Sequence, residues 1–176
     1  MKKQLVRHFV GSLGVIVLIG LDQFSKYLAQ HFLQGGTSIQ LWPNVLELTY
    51  VENRGAAFGI LLNQQWLFNI ITAIVMIGLI YIFFRLPFEK RFRITRFCCA
   101  LLLAGAAGNW IDRLKAGYVV DMIYFRLINF PVFNFADCLV VVGSILFCLA
   151  ACLQKHLLDD IFMQLGKRKT HDAGTD

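Results

Sequence analysis

A chain of 176 residues has the length of one domain, yet 57% of its residues are hydrophobic and its mean hydropathy is +0.61, more apolar surface than a soluble core of that size buries. The net charge of +6 is spread unevenly along the chain, which argues against the clustered, water-exposed basic face of a nucleic-acid binder and for a membrane protein. Five cysteines without CxxC or zinc-ligand spacing argue against a disulfide framework or metal site and read as space-filling thiols, so no metal or cofactor is expected.

Lys2, Lys3 and Arg7 precede an apolar run from Phe9 to Leu21. Alone it resembles a secretory signal peptide, but three further spans follow it, so it is expected to stay as a transmembrane helix. A crossing needs ~20 residues, so this span is expected to continue through Asp22 and Lys26 and to cover 9–32. Asp22 and Lys26 are four apart and share a helical face as an ion pair near the far interface. Gln34 to Ser38 carries turn chemistry, and Leu46 to Val51 reads as a strand or hairpin outside the bilayer. Asn53 and Arg54 then open a loop of small residues.

The second span is expected over 66–84, with an aromatic residue at each end. Arg85, Lys90, Arg91, Arg93 and Arg96 make the next stretch a basic loop. The third span, 97–114, carries Ala104, Gly105 and Gly108, small residues that let helix backbones approach closely. Asn109, Asp112 and Arg113 fall at i, i+3 and i+4 near its far end, and Asp112 with Arg113 is expected to form an ion pair there. An extended segment surrounds Asp121, and the fourth span, 135–153, begins with Asn134 and Asp137 on one face. Residues 156–176 read as a polar cytoplasmic tail without chemistry, a surface helix followed by disorder.

Charge sets the expected topology. Twelve of the cations lie on the side of Lys2, Lys3, Arg7, the basic loop and Lys155, Lys167, Arg168 and Lys169, against five on the other: Lys26, Arg54, Arg113, Lys115 and Arg126. The expected fold is therefore an all-α membrane protein: four transmembrane helices with both termini cytoplasmic and a small extracytoplasmic β-rich cradle formed by 33–65 and 115–134. The four-helix domain covers 1–155.

In that arrangement Asp22, Lys26, Asn53, Asn109, Arg113, Asp121, Asn134 and Asp137 gather at the outer interface from separate segments, which marks a site. Two Asp side chains held together do not both ionise cheaply, so Asp121 and Asp137 suit a shared-proton pair. The ionised member takes a proton from water attacking an amide carbonyl, and the protonated member serves the developing oxyanion. Asn53 and Asn134 are expected to orient the pair or the substrate. Cys138 as a nucleophile has only His31 as an outward base, a poorer fit. A small channel or transporter remains a second class, disfavoured because the charges sit at helix ends with no midplane charge or broken helix. A structural membrane partner without activity is a third.

The segments Asp22-Gln-Phe-Ser-Lys26, Asn53-Arg-Gly-Ala-Ala-Phe58, Gly108-Asn-Trp-Ile-Asp-Arg113, Val119-Val-Asp121 and Phe133-Asn-Phe-Ala-Asp137, in this order, strongly resemble the bacterial lipoprotein signal peptidases, or type II signal peptidases. The match runs from about residue 9 to 153. The resemblance implies an aspartyl endopeptidase of the bacterial cytoplasmic (inner) membrane, a target of globomycin. It would cut prolipoproteins just before a cysteine that already carries diacylglycerol. It further implies Asp121 and Asp137 as the catalytic dyad, with Asp22, Lys26, Asn53, Asn109, Arg113 and Asn134 as supporting residues. The partners implied are the lipidated prolipoprotein and membrane lipids, with the enzyme a monomer and no nucleic acid involved.

Overall fold

In the computed structural model, residues 2–36, 38–55, 65–154 and 156–166 are described. Ala56 to Phe58 of the second motif, and Lys155 and Lys167 to Lys169 of the charge argument, lie outside the described residues. Among the described residues, five α-helices and three strands follow in chain order: α1 (Lys2–Leu33), β1 (Ile39–Trp42), β2 (Leu46–Asn53), α2 (Gln65–Arg85), α3 (Arg93–Ala116), β3 (Val119–Phe125), α4 (Phe135–Leu153) and α5 (Leu157–Gly166). Among the described residues, α1, α2, α4 and the stretch Lys90–Ala116 are long and apolar enough to cross a membrane. On α1, α2 and α4 the apolar surface faces outward: Phe9, Ile16, Phe24, Ile74, Ile77 and Val141 are all exposed, as lipid-facing residues are.

α3 is the inner helix of the bundle and packs on α1, α2 and α4. Helices in lipid gain little from hydrophobic burial against one another, so close backbone approach supplies the attraction. Gly105 shows this: a Cβ there would lie 2.5 Å from the Ala136 carbonyl oxygen and 3.2 Å from the Val140 nitrogen of α4. The helix ends at Gly117, whose left-handed φ of 75° returns its N–H to the Arg113 carbonyl and turns the chain into β3.

The three strands form one antiparallel sheet in the order β1-β2-β3, with Val51 opposite Asp121 and Asn53 opposite Val119. Val119 to Met122 are buried, and Val120 and Met122 pack against Ala29 and Leu33 at the end of α1. Phe133 then bridges back to Ile123, giving and accepting backbone hydrogen bonds of 3.0 and 2.8 Å. That clamp sets the first turn of α4 beside Asp121.

Two expectations need correction at the opposite end. α1 begins at Lys2, not Phe9, so Arg7 lies within the helix. Arg96 is no loop residue: it is buried in α3, and its Nη1 donates to the Phe83 and Leu86 carbonyls at 2.6 and 2.8 Å, where α2 ends. Those carbonyls have no partner in their own helix, which is why a guanidinium can be held there. The helix expected in the tail forms over Leu157–Gly166, and its Leu157 and Ile161 pack with Leu86, Phe92 and Ala150. The period of its apolar residues, more than its overall polarity, decided that docking.

Candidate active site

The site begins at the first turn of α4. Asn134 is extended (φ −131°, ψ −179°) and accepts from the Asp137 N–H at 2.9 Å, while Asp137 Oδ2 accepts from the Asn134 N–H at 3.1 Å. This reciprocal cap satisfies two orphan donors and puts a carboxylate at the positive end of a helix. Asn134 and Asp137 are therefore cap partners, and their expected shared helical face is replaced by this box.

With its oxygen committed to the cap, Asn134 has its amide N–H groups free to donate, and it is fully buried. Its Nδ2 donates to Asp121 Oδ1 at 2.6 Å and to Asn109 Oδ1 at 3.1 Å. Asn109 Nδ2 in turn donates to Asp137 Oδ1 at 2.7 Å. On the sheet side, Asn53 Nδ2 donates to Asp121 Oδ2 at 2.8 Å. Asp121 on β3 and Asp137 on α4 are thus tied through one asparagine, each also held by a second. Asp121 is 2% exposed. Burial pushes its carboxyl up to about 6; the Asn53 hydrogen bond opposes this, the neighbouring Asp137 charge adds to it, and Asn134 and Lys26 oppose it.

Beneath the pair lies a second polar layer. Lys26 Nζ is 2.9 Å from Asp22 Oδ2 and 2.9 Å from Asp112 Oδ2, and it donates to Asn109 Oδ1 at 2.8 Å. Asp22 Oδ1 accepts from the Ala136 N–H at 2.9 Å, a free donor of the α4 first turn. Asp112 Oδ2 accepts from the Val120 N–H of β3 at 3.3 Å. Asp22, Lys26 and Asp112 are all buried. The layer ties α1, α3, α4 and β3 together and, through Asn109, reaches the upper pair.

The expected Asp112–Arg113 ion pair does not form. Adjacent helical residues point about 100° apart, so Asp112 turns to Lys26 while Arg113 lies 5.1 Å from the Phe68 ring centroid. Sequence reasoning also missed Gln23, whose Nε2 donates to Asp112 Oδ1 at 2.8 Å and to the Gly108 carbonyl at 3.2 Å. A polar residue between Asp22 and Lys26 in an apolar helix was the available signal. Gly108 was read as packing alone; a Cβ there would strike the Asp22 carboxylate.

A cavity of about 910 Å³ opens over the pair. Asn53, Asn109, Arg113, Asp121 and Asp137 make its polar wall, and Phe130, Val132, Val140 and Val141 its apolar one. Such a cleft suits an extended peptide with an apolar attachment, presented to two carboxyl groups.

Comparison with known proteins agrees in family and fold. A family model described as Signal peptidase (SPase) II matches residues 14–153. The chain is similar to the lipoprotein signal peptidase of Brevibacillus brevis, 46% identical over 127 residues, 72% of this chain and 84% of that protein. It is 47% identical to that of Caldanaerobacter subterraneus over 133 residues, 75% and 88% of the two chains. A solved bacterial membrane enzyme, obtained by the in meso method, superposes with a TM-score of 0.72 at 34% identity, covering 90% of this chain and 93% of that one.

Proposed function

The chain belongs to the signal peptidase II family, and on that premise we propose that it is an aspartyl endopeptidase whose dyad is Asp121 and Asp137. Membership in this family of lipoprotein signal peptidases supports the removal of signal peptides from lipoproteins by a multi-pass membrane protein. The substrate in this reading is a diacylglyceryl-modified prolipoprotein, cut before the lipidated cysteine. The protein lies in the bacterial cytoplasmic membrane with both termini inside and the sheet outside.

The observation that carries the reading is Asn134, which donates to Asp121 from its side chain and to Asp137 from its backbone. Burial pushes the Asp121 carboxyl up to about 6, which makes it more easily protonated than an ordinary aspartate and suits it to the acid role. Asp137 is the base: it takes a proton from the attacking water as the oxygen bonds to the scissile carbonyl carbon. Asp121 gives its proton to the carbonyl oxygen; as the C–N bond of the gem-diol breaks, Asp137 passes the proton taken from water to the departing amine and Asp121 recovers one from a gem-diol hydroxyl, which restores the starting pair. Each acid or base role typically contributes about 10²- to 10⁴-fold. Asn53 and Asn109 hold the two carboxyl groups in register. The Lys26 layer acts at one remove by fixing Asn109 and the first turn of α4. The apolar cavity wall receives the acyl chains, and the free rim of the small sheet supports the extended peptide.

The test is cleavage of a diacylglyceryl-modified prolipoprotein in detergent with a chelator present. Asp121→Asn and Asp137→Asn, each made singly, are expected to fold, insert and fail to cleave. Wild-type-like turnover by either variant would refute the dyad, and loss of wild-type activity in chelator would redirect the chemistry to a metal.

A further inference from the structure

At the bundle end opposite the sheet, a cavity of about 780 Å³ runs between α1 and α3. Its walls include Val10, Leu13, Val17 and Leu101, and its only charged lining groups are Arg7 and Arg96. Both guanidinium groups converge on one aromatic ring: the Arg96 carbon lies 3.7 Å, and the Arg7 carbon 5.7 Å, from the Phe88 centroid. Arg96 is 8% exposed. Among the described residues neither arginine has a carboxylate within ion-pair distance.

We propose that this groove binds an anionic phospholipid, with its phosphate on Arg7 and Arg96 and an acyl chain between α1 and α3. Arg96 already spends Nη1 on the Phe83 and Leu86 carbonyls, and its Nη2 lies 3.5 Å from His8 Nδ1. Among the described residues, however, no anionic side chain balances the two like charges beside this ring, and a phosphate would lower their mutual repulsion. Guanidinium is the side chain best shaped to hold phosphate oxygens. The groove's length fits the rest of the ligand. Val6 to Leu18 rises about 18 Å at ~1.5 Å per residue, roughly one leaflet of a ~30 Å hydrocarbon core. Charge also discriminates among occupants: a signal peptide begins with a basic segment, and a second copy of this chain would bring its own Lys2, Lys3 and Arg7. Both meet repulsion where a phosphate meets attraction.

Gly14 supplies a clean probe. It lines the groove, and a Cβ there meets nothing within 4 Å, so a side chain can enter the groove from this position without a backbone clash. Arg96→Gln would also remove the cap on α2, so Arg7→Gln is the better head-group variant.

The experiment is native mass spectrometry of the full chain in mild detergent with dioleoyl phosphatidylglycerol or dioleoyl phosphatidylcholine at equal concentration. The wild type is expected to retain phosphatidylglycerol in preference. Each basic residue near an anionic lipid is worth about fivefold in binding, so Arg7→Gln should lose that factor for phosphatidylglycerol alone. Gly14→Phe should lose both lipids while melting normally in lipid-free detergent, and Lys90→Gln, at the same end but outside the groove, should change nothing. Equal retention of the two lipids by the wild type would overturn the proposal. So would an equal loss in Lys90→Gln, which would mean diffuse surface charge. Glycerol 3-phosphate, which has no chains, binding as tightly as the lipid would do the same.

Discussion

Two pairs of aspartates sit one above the other in this bundle, and they differ in what stands between them. Asp22 and Asp112 flank Lys26, each 2.9 Å from its ammonium group. Asp121 and Asp137 are linked instead by asparagine amides. An ammonium group neutralises charge; an amide orients a carboxyl group and leaves most of its charge in place. The lower pair is therefore a clamp, whereas the proposed mechanism gives the upper pair its acid and base roles. Placing both pairs on Asn109 and the first turn of α4 makes the clamp the support for the pair above.

That contrast breaks most sharply at the upper pair. Asp121→Asn or Asp137→Asn should lower kcat by at least ~10³-fold, as loss of an acid or base group does, with normal amounts of folded protein on gel filtration. At the lower pair the effect should fall on stability. Lys26→Ala strands two buried carboxylates and should cost about 3–5 kcal/mol, read as a lower melting temperature or abundance in the membrane. Normal melting with lost cleavage would instead place Lys26 against the substrate.

Asn134→Ala touches both functions. Loss of the cap should cost about 1 kcal/mol, and loss of alignment about 10²-fold in kcat. The subtlest effect is on pH. Because burial pushes the Asp121 carboxyl up to about 6, kcat/KM should fall as pH rises through that value and the acid form is lost. Asn53 donates to the charged form of Asp121 and so opposes that rise. Asn53→Ala should therefore move the alkaline limb to higher pH; movement to lower pH would reverse the assigned direction of that hydrogen bond.

Much of this was legible beforehand because it is local. The apolar run Trp66 to Phe84 needs no partner to declare a span, and α2 covers Gln65–Arg85. The fourth helix is expected to start near Asn134, and α4 begins directly after it at Phe135. Arg113 shows the limit. Spacing placed Asn109, Asp112 and Arg113 near one face, but a 100° step per residue separates neighbours, and only the packed helices decide that Asp112 meets Lys26. Arg96 shows the same limit, since a basic residue at a loop edge reads as solvated until the carbonyls of Phe83 and Leu86 are known to lie alongside, and the partners of α5, Phe92 and Ala150, are likewise set only by packing.

By itself, then, the sequence determined the number of spans, the extended segments outside them, and which acidic and amide residues crowd toward one end, because hydropathy and helix-start chemistry act over a few residues. Only the tertiary structure decided which aspartates share an ammonium group and which face a cavity. It alone showed which arginine caps a helix and which end of the bundle carries a charged groove. Those outcomes depend on distances between segments up to 114 positions apart, and no local pattern encodes which neighbour arrives there.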